Sequence, residues 1–112
     1  MIKQVLNEKK IKNKIILFFG GTGSLGNQFN QRFIDDNKIY NYSRDEHKHW
    51  KMKLKFKSHK NLNFIVGNVS DRIRVKETIK RVNPNIIIIG CAMKHIDQCE
   101  INTNESINTN IL

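Results

Sequence analysis

Apolar positions along the chain fall into short runs that alternate with helical stripes. Lys14, Ile15, Ile16, Leu17, Phe18 and Phe19 form a nearly continuous apolar run closed by Gly20. A short run that is apolar on both faces predicts a strand buried inside a parallel sheet. Over residues 24 to about 36, Leu25, Phe29, Phe33 and Ile34 recur at helical spacing and predict an amphipathic helix. Residues 38–43, with Ile39, Tyr40 and Tyr42, predict a second strand. Residues 44 to about 57 predict a second helix, with Trp50, Leu54 and Phe56 on its apolar side. Residues 61–67 predict a third strand, and 70–82 a third helix with Ser70 as its N-cap. Asn83 and Pro84 break that helix. Residues 86–91 predict a fourth strand, 92–103 a loop, and 104–112 the start of a further helix.

Strands alternating with helices imply a parallel sheet with right-handed crossovers. The expected fold class is α/β: a Rossmann-type parallel sheet, the first βαβαβαβ half with strand order 3-2-1-4, truncated. Residues 1–13 are expected to be a polar N-terminal arm, and 14–112 a partial Rossmann-type domain. The fourth strand would stand at the edge of such a sheet. An uncovered apolar edge invites pairing, so self-association or a complementary chain is expected through residues 86–91.

Composition changes this picture little. At 112 residues and 38% hydrophobic, the chain suits one small globular domain. The net charge of +10, from 20 basic against 10 acidic residues, suggests attraction to polyanions. However, Lys far outnumbers Arg and is scattered, and Asn and Ile are also heavily used. Compositional bias explains this better than a dedicated nucleic-acid face, which would interleave Arg with aromatic residues. The densest basic run, Lys48 to Lys60, suits the solvated face of one helix and the loop after it. Cys91 and Cys99 match no zinc spacing, and no metal is expected. Residues 1–14 hold no apolar stretch of leader length, and Ile86 to Ile89 is far too short to span a bilayer. A cytoplasmic protein with no membrane partner is expected.

The chemistry concentrates at Gly20-Gly21-Thr22-Gly23-Ser24-Leu25-Gly26, between the first strand and the first helix. Gly20, Gly23 and Gly26 are three residues apart. One allows the tight turn, one lets the backbone approach a pyrophosphate, and one lets helix and strand pack closely. The helix N-terminus beyond offers free N–H groups and positive partial charge to phosphates. Thr22 and Ser24 can add hydroxyl donors. A glycine string can be a structural turn without a ligand. Here the strand–turn–helix context that dinucleotide binding requires is met.

The end of the second strand would meet the adenosine ribose. An acidic residue there suits NAD, whereas a hydroxyl and a cation suit the 2′-phosphate of NADP. The chain reads Tyr42-Ser43-Arg44-Asp45-Glu46, with Lys48 nearby. Ser43 and Arg44 can donate to a phosphate, and Asp45 and Glu46 suit the start of a helix. NADP is the expected cofactor. The bland alternative makes Arg44 only a surface residue at a helix start.

These motifs occur in order with Gly67-Asn68-Val69-Ser70-Asp71, Ala92-Met93-Lys94-His95 and Glu105-Ser106-Ile107-Asn108-Thr109-Asn110. The set resembles the N-terminal part of the UDP-N-acetylglucosamine 4,6-dehydratases, in the polysaccharide-biosynthesis branch of the extended short-chain dehydrogenase/reductases. The Ser43-Arg44-Asp45-Glu46 element is more similar to the inverting type. The resemblance implies that Gly20, Thr22, Gly23, Ser24, Leu25 and Gly26 line the pyrophosphate. It implies that Ser43, Arg44, Asp45 and Lys48 hold the adenosine phosphate and that Asn68 and Val69 touch the adenine. Gly90 and Ala92 would lie along the cofactor, Lys94 between nicotinamide and substrate, and Asn110 on the helix beside the active site.

Two departures are local. Asn68 stands where the family usually has Asp, and it keeps a carbonyl acceptor for an adenine amine. Gly90-Cys91-Ala92 replaces a run of alanines. The larger departure concerns catalysis. The family's Tyr and Lys, four residues apart, and its Asp/Lys elimination pair would all lie after residue 112. Tyr40 and Tyr42, in the second strand, do not substitute. No catalytic residue is therefore expected in this chain, and a UDP-sugar would be a partner only alongside a C-terminal half. The resemblance implies an NADP-binding portion of such a dehydratase, inactive alone. The alternatives are a stand-alone nucleotide-binding or regulatory module, a decayed fragment, or a basic nucleic-acid-binding protein.

Overall fold

The computed structural model describes residues 11–91 and the backbone of residues 107–110. Strand β1 (Ile15–Phe19) leads through the glycine turn into helix α1 (Ser24–Phe33). Then follow β2 (Lys38–Ser43), α2 (Glu46–Lys55), β3 (Leu62–Val66), α3 (Arg72–Val82), β4 (Ile86–Ile89) and β5 (Ile107–Asn110). The five strands form one sheet in the order β3-β2-β1-β4-β5. All four pairings are parallel, with Ile16 opposite both Ile39 and Ile86. The expected α/β sheet with order 3-2-1-4 is therefore present.

The sheet is buried on both faces, which is why β1 and β4 read as unbroken apolar runs. On one face Ile16, Phe18, Ile39, Leu62 and Ile88 meet Phe29, Phe33 and Ile34 of the α1 segment and Met52 of α2. Phe18 and Phe29 meet edge to face, with centroids 5.6 Å apart, an arrangement worth about 1 kcal/mol beyond area burial. On the other face Leu17, Phe19, Tyr42, Ile65, Ile87 and Ile89 pack on Val75, Ile79 and Val82 of α3.

Several sequence expectations are corrected. Within the segment expected to open a helix, Ile107–Asn110 is a strand, with Ile107 opposite Ile86 and Asn110 opposite Ile89. Open backbone groups along an apolar strand need partners, and this next segment, with β-branched residues at Ile107 and Thr109, supplies them. Strand β4 is consequently interior. The open apolar edge expected at residues 86–91, and the route to self-association through it, are not what the structure shows.

Helix α1 stops at Phe33 rather than near residue 36. The buried Asn37 side chain donates to Phe33 O and Ile11 O, each at 3.0 Å, and accepts from Lys14 N at 3.0 Å. It thus ends the helix and ties residues 11–14 to the following loop. Asn13 N also donates to Asp36 O at 2.7 Å, so this end of the expected arm is pinned. The rest of the arm lies outside the described residues. Helix α3 starts at Arg72 with Asp71, not Ser70, as its N-cap, because the Asp71 carboxylate accepts from Arg74 N at 3.0 Å. It ends as expected at Asn83, in the left-handed region at φ 49°. The largest surprise is α2. Its inward residues are His49 and Met52, while Trp50 and Leu54 are each 57% exposed.

Candidate functional site

The carboxyl ends of β1, β2, β3 and β4 meet at a groove of about 270 Å³. In open α/β sheets this is where ligands bind, at the point where the strand order reverses. Here the chain passes from β1 outward to β2 and β3, then back across to β4. Gly20, Ser43, Arg44, Asn68 and Val69 line the groove together, joined by Tyr42, Gly67, Ser70 and Cys91.

The glycine turn shows three different demands. Gly20 has φ +75°, the left-handed region where a side chain would be strained, and it turns the chain out of β1. Its N–H donates to Tyr42 O at 2.9 Å, which continues the ladder one step past the strand. At Gly26 an added Cβ would run into the Gly21 carbonyl, so this glycine lets α1 lie directly on the turn. At Gly23 an added Cβ would meet nothing within 4 Å. No internal packing explains a glycine there.

Gly21 was not singled out as a functional position in the sequence, yet it is just as constrained. A Cβ there would strike the Asn41 carboxamide and the Phe18 ring. Its neighbour Gly20 drew the motif reading, and only the packing of the layer beneath reveals the second constraint.

Gly23 is also the N-cap of α1. It makes no side-chain cap hydrogen bond, and the first turn of α1 carries no acidic residue. The leading N–H groups of a helix have no partner within it. At α1 no side chain of the cap residue fills that role, and the positive end of the helix dipole is left without a counter-charge. Thr22 is half-buried, Ser24 is exposed and Leu25 is half-buried against the α1 side of the core.

The second wall is built from the ends of β2 and β3. Ser43 Oγ accepts from Asp45 N at 3.3 Å, and Arg44 is exposed. Asp45 caps α2: its carboxylate accepts from Lys48 N at 3.1 Å. That bond holds the Asp45 carboxyl below the usual aspartate range. The carboxylate nearest the end of β2 is thus committed to the helix, and the groups on the groove wall are Ser43 and Arg44. Lys48 lies in the first turn of α2 with its side chain exposed.

Asn68 is fixed twice. Its carbonyl accepts from the Tyr42 hydroxyl at 2.9 Å, and its side-chain oxygen accepts from Ser70 N at 2.9 Å. Tyr42 is fully buried, and burial pushes its phenol above the ordinary tyrosine value. Gly67 is required beside it, since a Cβ would strike the Tyr42 ring. Arg74 reaches back from α3 and donates to Val66 O at 2.9 Å, which fastens the end of β3. Tyr42 and Gly67 are groove-lining positions that the apolar pattern hides. Tyr42 reads as a strand core residue, and only its hydroxyl contact marks it as the support of Asn68.

Gly90 follows β4 and precedes Cys91, the groove residue on this side. Its N–H donates to Phe19 O at 2.8 Å, and a Cβ there would meet Phe18 at 2.9 Å and Gly20 O at 3.3 Å. Cys91, half-buried in the groove, has its thiol pushed up by burial. Ala92 and Lys94 lie outside the described residues. Asn110, expected on a helix, is on β5 opposite Ile89. Among the described residues no group of His, Cys, Asp and Glu is arranged to hold a metal ion. Among the described residues no helix is long and apolar enough to cross a membrane.

Comparison with known proteins agrees with this geometry. Residues 16–112 match the family model described as "Polysaccharide biosynthesis protein". The chain is 38% identical over 101 residues to the UDP-N-acetylglucosamine 4,6-dehydratase (inverting) of Campylobacter jejuni, a match covering 88% of this chain and 29% of that protein. It is 34% identical over 106 residues to the UDP-glucose 4-epimerase of Rickettsia rickettsii, covering 89% of this chain and 30% of that one. The chain thus spans less than a third of the length of these relatives. In structure it resembles the Bordetella bronchiseptica enzyme WbmG, solved in complex with NAD, with a TM-score of 0.63 at 18% identity over 74% of this chain and 26% of that one. That likeness establishes the shared fold, and the family match over residues 16–112 establishes that the chain belongs to the polysaccharide biosynthesis protein family.

Proposed function

We propose that this chain is the NADP-binding portion of a UDP-N-acetylglucosamine-type 4,6-dehydratase. The observation that carries the reading is Gly23: a glycine with open space around it, at a helix N-terminus without a side-chain cap. A group that must approach that backbone from outside accounts for both facts, and a pyrophosphate suits the dipole it would face. The residues present fit such a cofactor. The turn from Gly20 to Gly26 would hold the pyrophosphate, Asn68 and Val69 the adenine, and Ser43, Arg44 and Lys48 the 2′-phosphate. Gly90 and Ala92 would flank the cofactor further along, and Lys94 would stand between it and the sugar.

The preference for NADP rests on Asp45. In an NAD site a carboxylate at the end of the second strand accepts from the ribose. Here the nearest carboxylate accepts from Lys48 N instead, and Arg44 is the exposed charge beside Ser43. The bound nicotinamide would supply a hydride acceptor and donor for the sugar. The residues of this chain would bind and orient it. Dehydration itself is proposed for the whole protein, of which this chain corresponds to less than a third of the relatives' length.

Calorimetric titration of the chain with NADP and with NAD tests this. NADP is expected to bind at least about tenfold more tightly, and Arg44→Ala to remove that preference by deleting a charge-assisted contact. Equal binding of NAD would overturn the NADP reading. Binding of neither would overturn the cofactor reading as well.

A further inference from the structure

Helix α2 turns an unexpected face outward. At 100° per residue, His47, Lys51 and Leu54 lie opposite the inward pair His49 and Met52, with Trp50 beside them. Trp50 and Leu54, four residues apart, are neighbours on that surface, and both are 57% exposed. The His47 and Trp50 rings lie nearly parallel, 20° apart with centroids at 6.1 Å, both exposed on the outer face. Lys51 and Lys55 flank this apolar pair on one side and Lys53 on the other, all exposed, with the exposed Glu46 as the one acid at the start of this face, between Lys53 and Trp50.

We propose that this face of α2 is a peripheral docking surface for an anionic lipid bilayer. An indole and a leucine side by side, bordered by lysines, fit the boundary between acyl chains and acidic headgroups. The lysines complement the charge of that surface. A second copy of the same face would bring like charges together. A nucleic acid would use the lysines but leave Leu54 without a role, and α2 contains no arginine. The overall charge of the chain reads as incidental in composition. The outward Trp50 and Leu54 are what give this part of it a direction.

Trp50 is the only tryptophan of the chain, so its emission reports the contact itself. Vesicles of phosphatidylglycerol and phosphatidylcholine, mixed with the 112-residue chain, should shift Trp50 emission to the blue and co-sediment the protein. Pure phosphatidylcholine vesicles should do neither, and salt should reverse the effect. The Lys51→Glu/Lys55→Glu variant should lower partitioning on the order of tenfold. Lys76→Glu/Lys80→Glu, the same charge change on α3 across the sheet, should lower it much less. Circular dichroism checks that both variants keep the fold. Sedimentation without an emission shift, or equal losses in the two variants, would overturn the proposal in favour of general attraction of a basic protein. A shift with single-stranded DNA but not with vesicles would overturn it in favour of nucleic acid.

Discussion

Helix α1 and helices α2 and α3 begin in opposite ways. Asp45 and Asp71 each accept a hydrogen bond from the backbone N–H three residues on, at 3.1 and 3.0 Å, and so cap α2 and α3. Helix α1 begins at Gly23 with no such bond and no acid in its first turn. All three follow strands of the same sheet, so their surroundings alone do not dictate the difference. Capped helices are finished within the chain. Helix α1 is left with donors and a positive dipole end beside the turn that opens onto the groove, which is what an external anion needs.

The comparison can be broken first at its tightest point. Gly26→Ala places a Cβ against the Gly21 carbonyl. Overpacking against backbone should cost about 3 kcal/mol or more in urea denaturation. A loss below about 0.5 kcal/mol would show that α1 does not need to lie on the turn. Asp71→Ala removes an ordinary cap and should cost about 1 kcal/mol in the same measurement. Asp45→Ala should act in the same direction and should also loosen the wall that carries Arg44. No loss at either position would remove the contrast between capped and uncapped helices.

His49 adds a pH test of the α2 side. Burial lowers its pKa below the ordinary value of 6.5, only partly opposed by Asp45 and Glu46. Neither ring nitrogen has a hydrogen-bond partner. The unfolded chain therefore binds the proton more readily than the folded one. Stability from this group is complete above pH 6.5 and is lost as pH falls through and below that value. His49→Phe should flatten the stability profile between pH 6.5 and 5, read by thermal denaturation. An unchanged slope would mean that His49 is hydrated or paired in the folded state.

The sequence made β1, α1 and the sheet order legible because each rests on a strong, single signal. An unbroken apolar run means burial on both faces, and Phe29 and Phe33 mark one side of α1. It misled at α2 because Trp50, Leu54 and Phe56 outweigh His49 and Met52 on any hydropathy measure. The deciding factor was tertiary. Asn30 and Asn41 donate to the Met52 sulfur at 3.2 and 3.7 Å, and the His49 ring packs on Phe64 with centroids 5.0 Å apart. Strand β5 was missed because a short Ile-Asn-Thr-Asn alternation carries little information without the waiting edge of β4. At the site, Gly20, Ser43, Arg44, Asn68 and Val69 are the expected positions that line the groove, and Gly20 is the one member of the glycine turn among them. The supports beneath it, Tyr42 under Asn68 and Asn41 under Gly21, became visible only when side chains from separate elements were brought together.

Gly23→Ala tests the account most directly. Its φ of −85° suits alanine, and the space for a methyl group is open. Alanine is a poorer N-cap than glycine, so thermal and urea denaturation should change by no more than about 1 kcal/mol. NADP affinity, measured by calorimetry on the same sample, should fall more than about tenfold, because the methyl group would stand where the pyrophosphate must approach. A variant that keeps both its stability and its NADP affinity would contradict the claim that the start of α1 is held open for a cofactor.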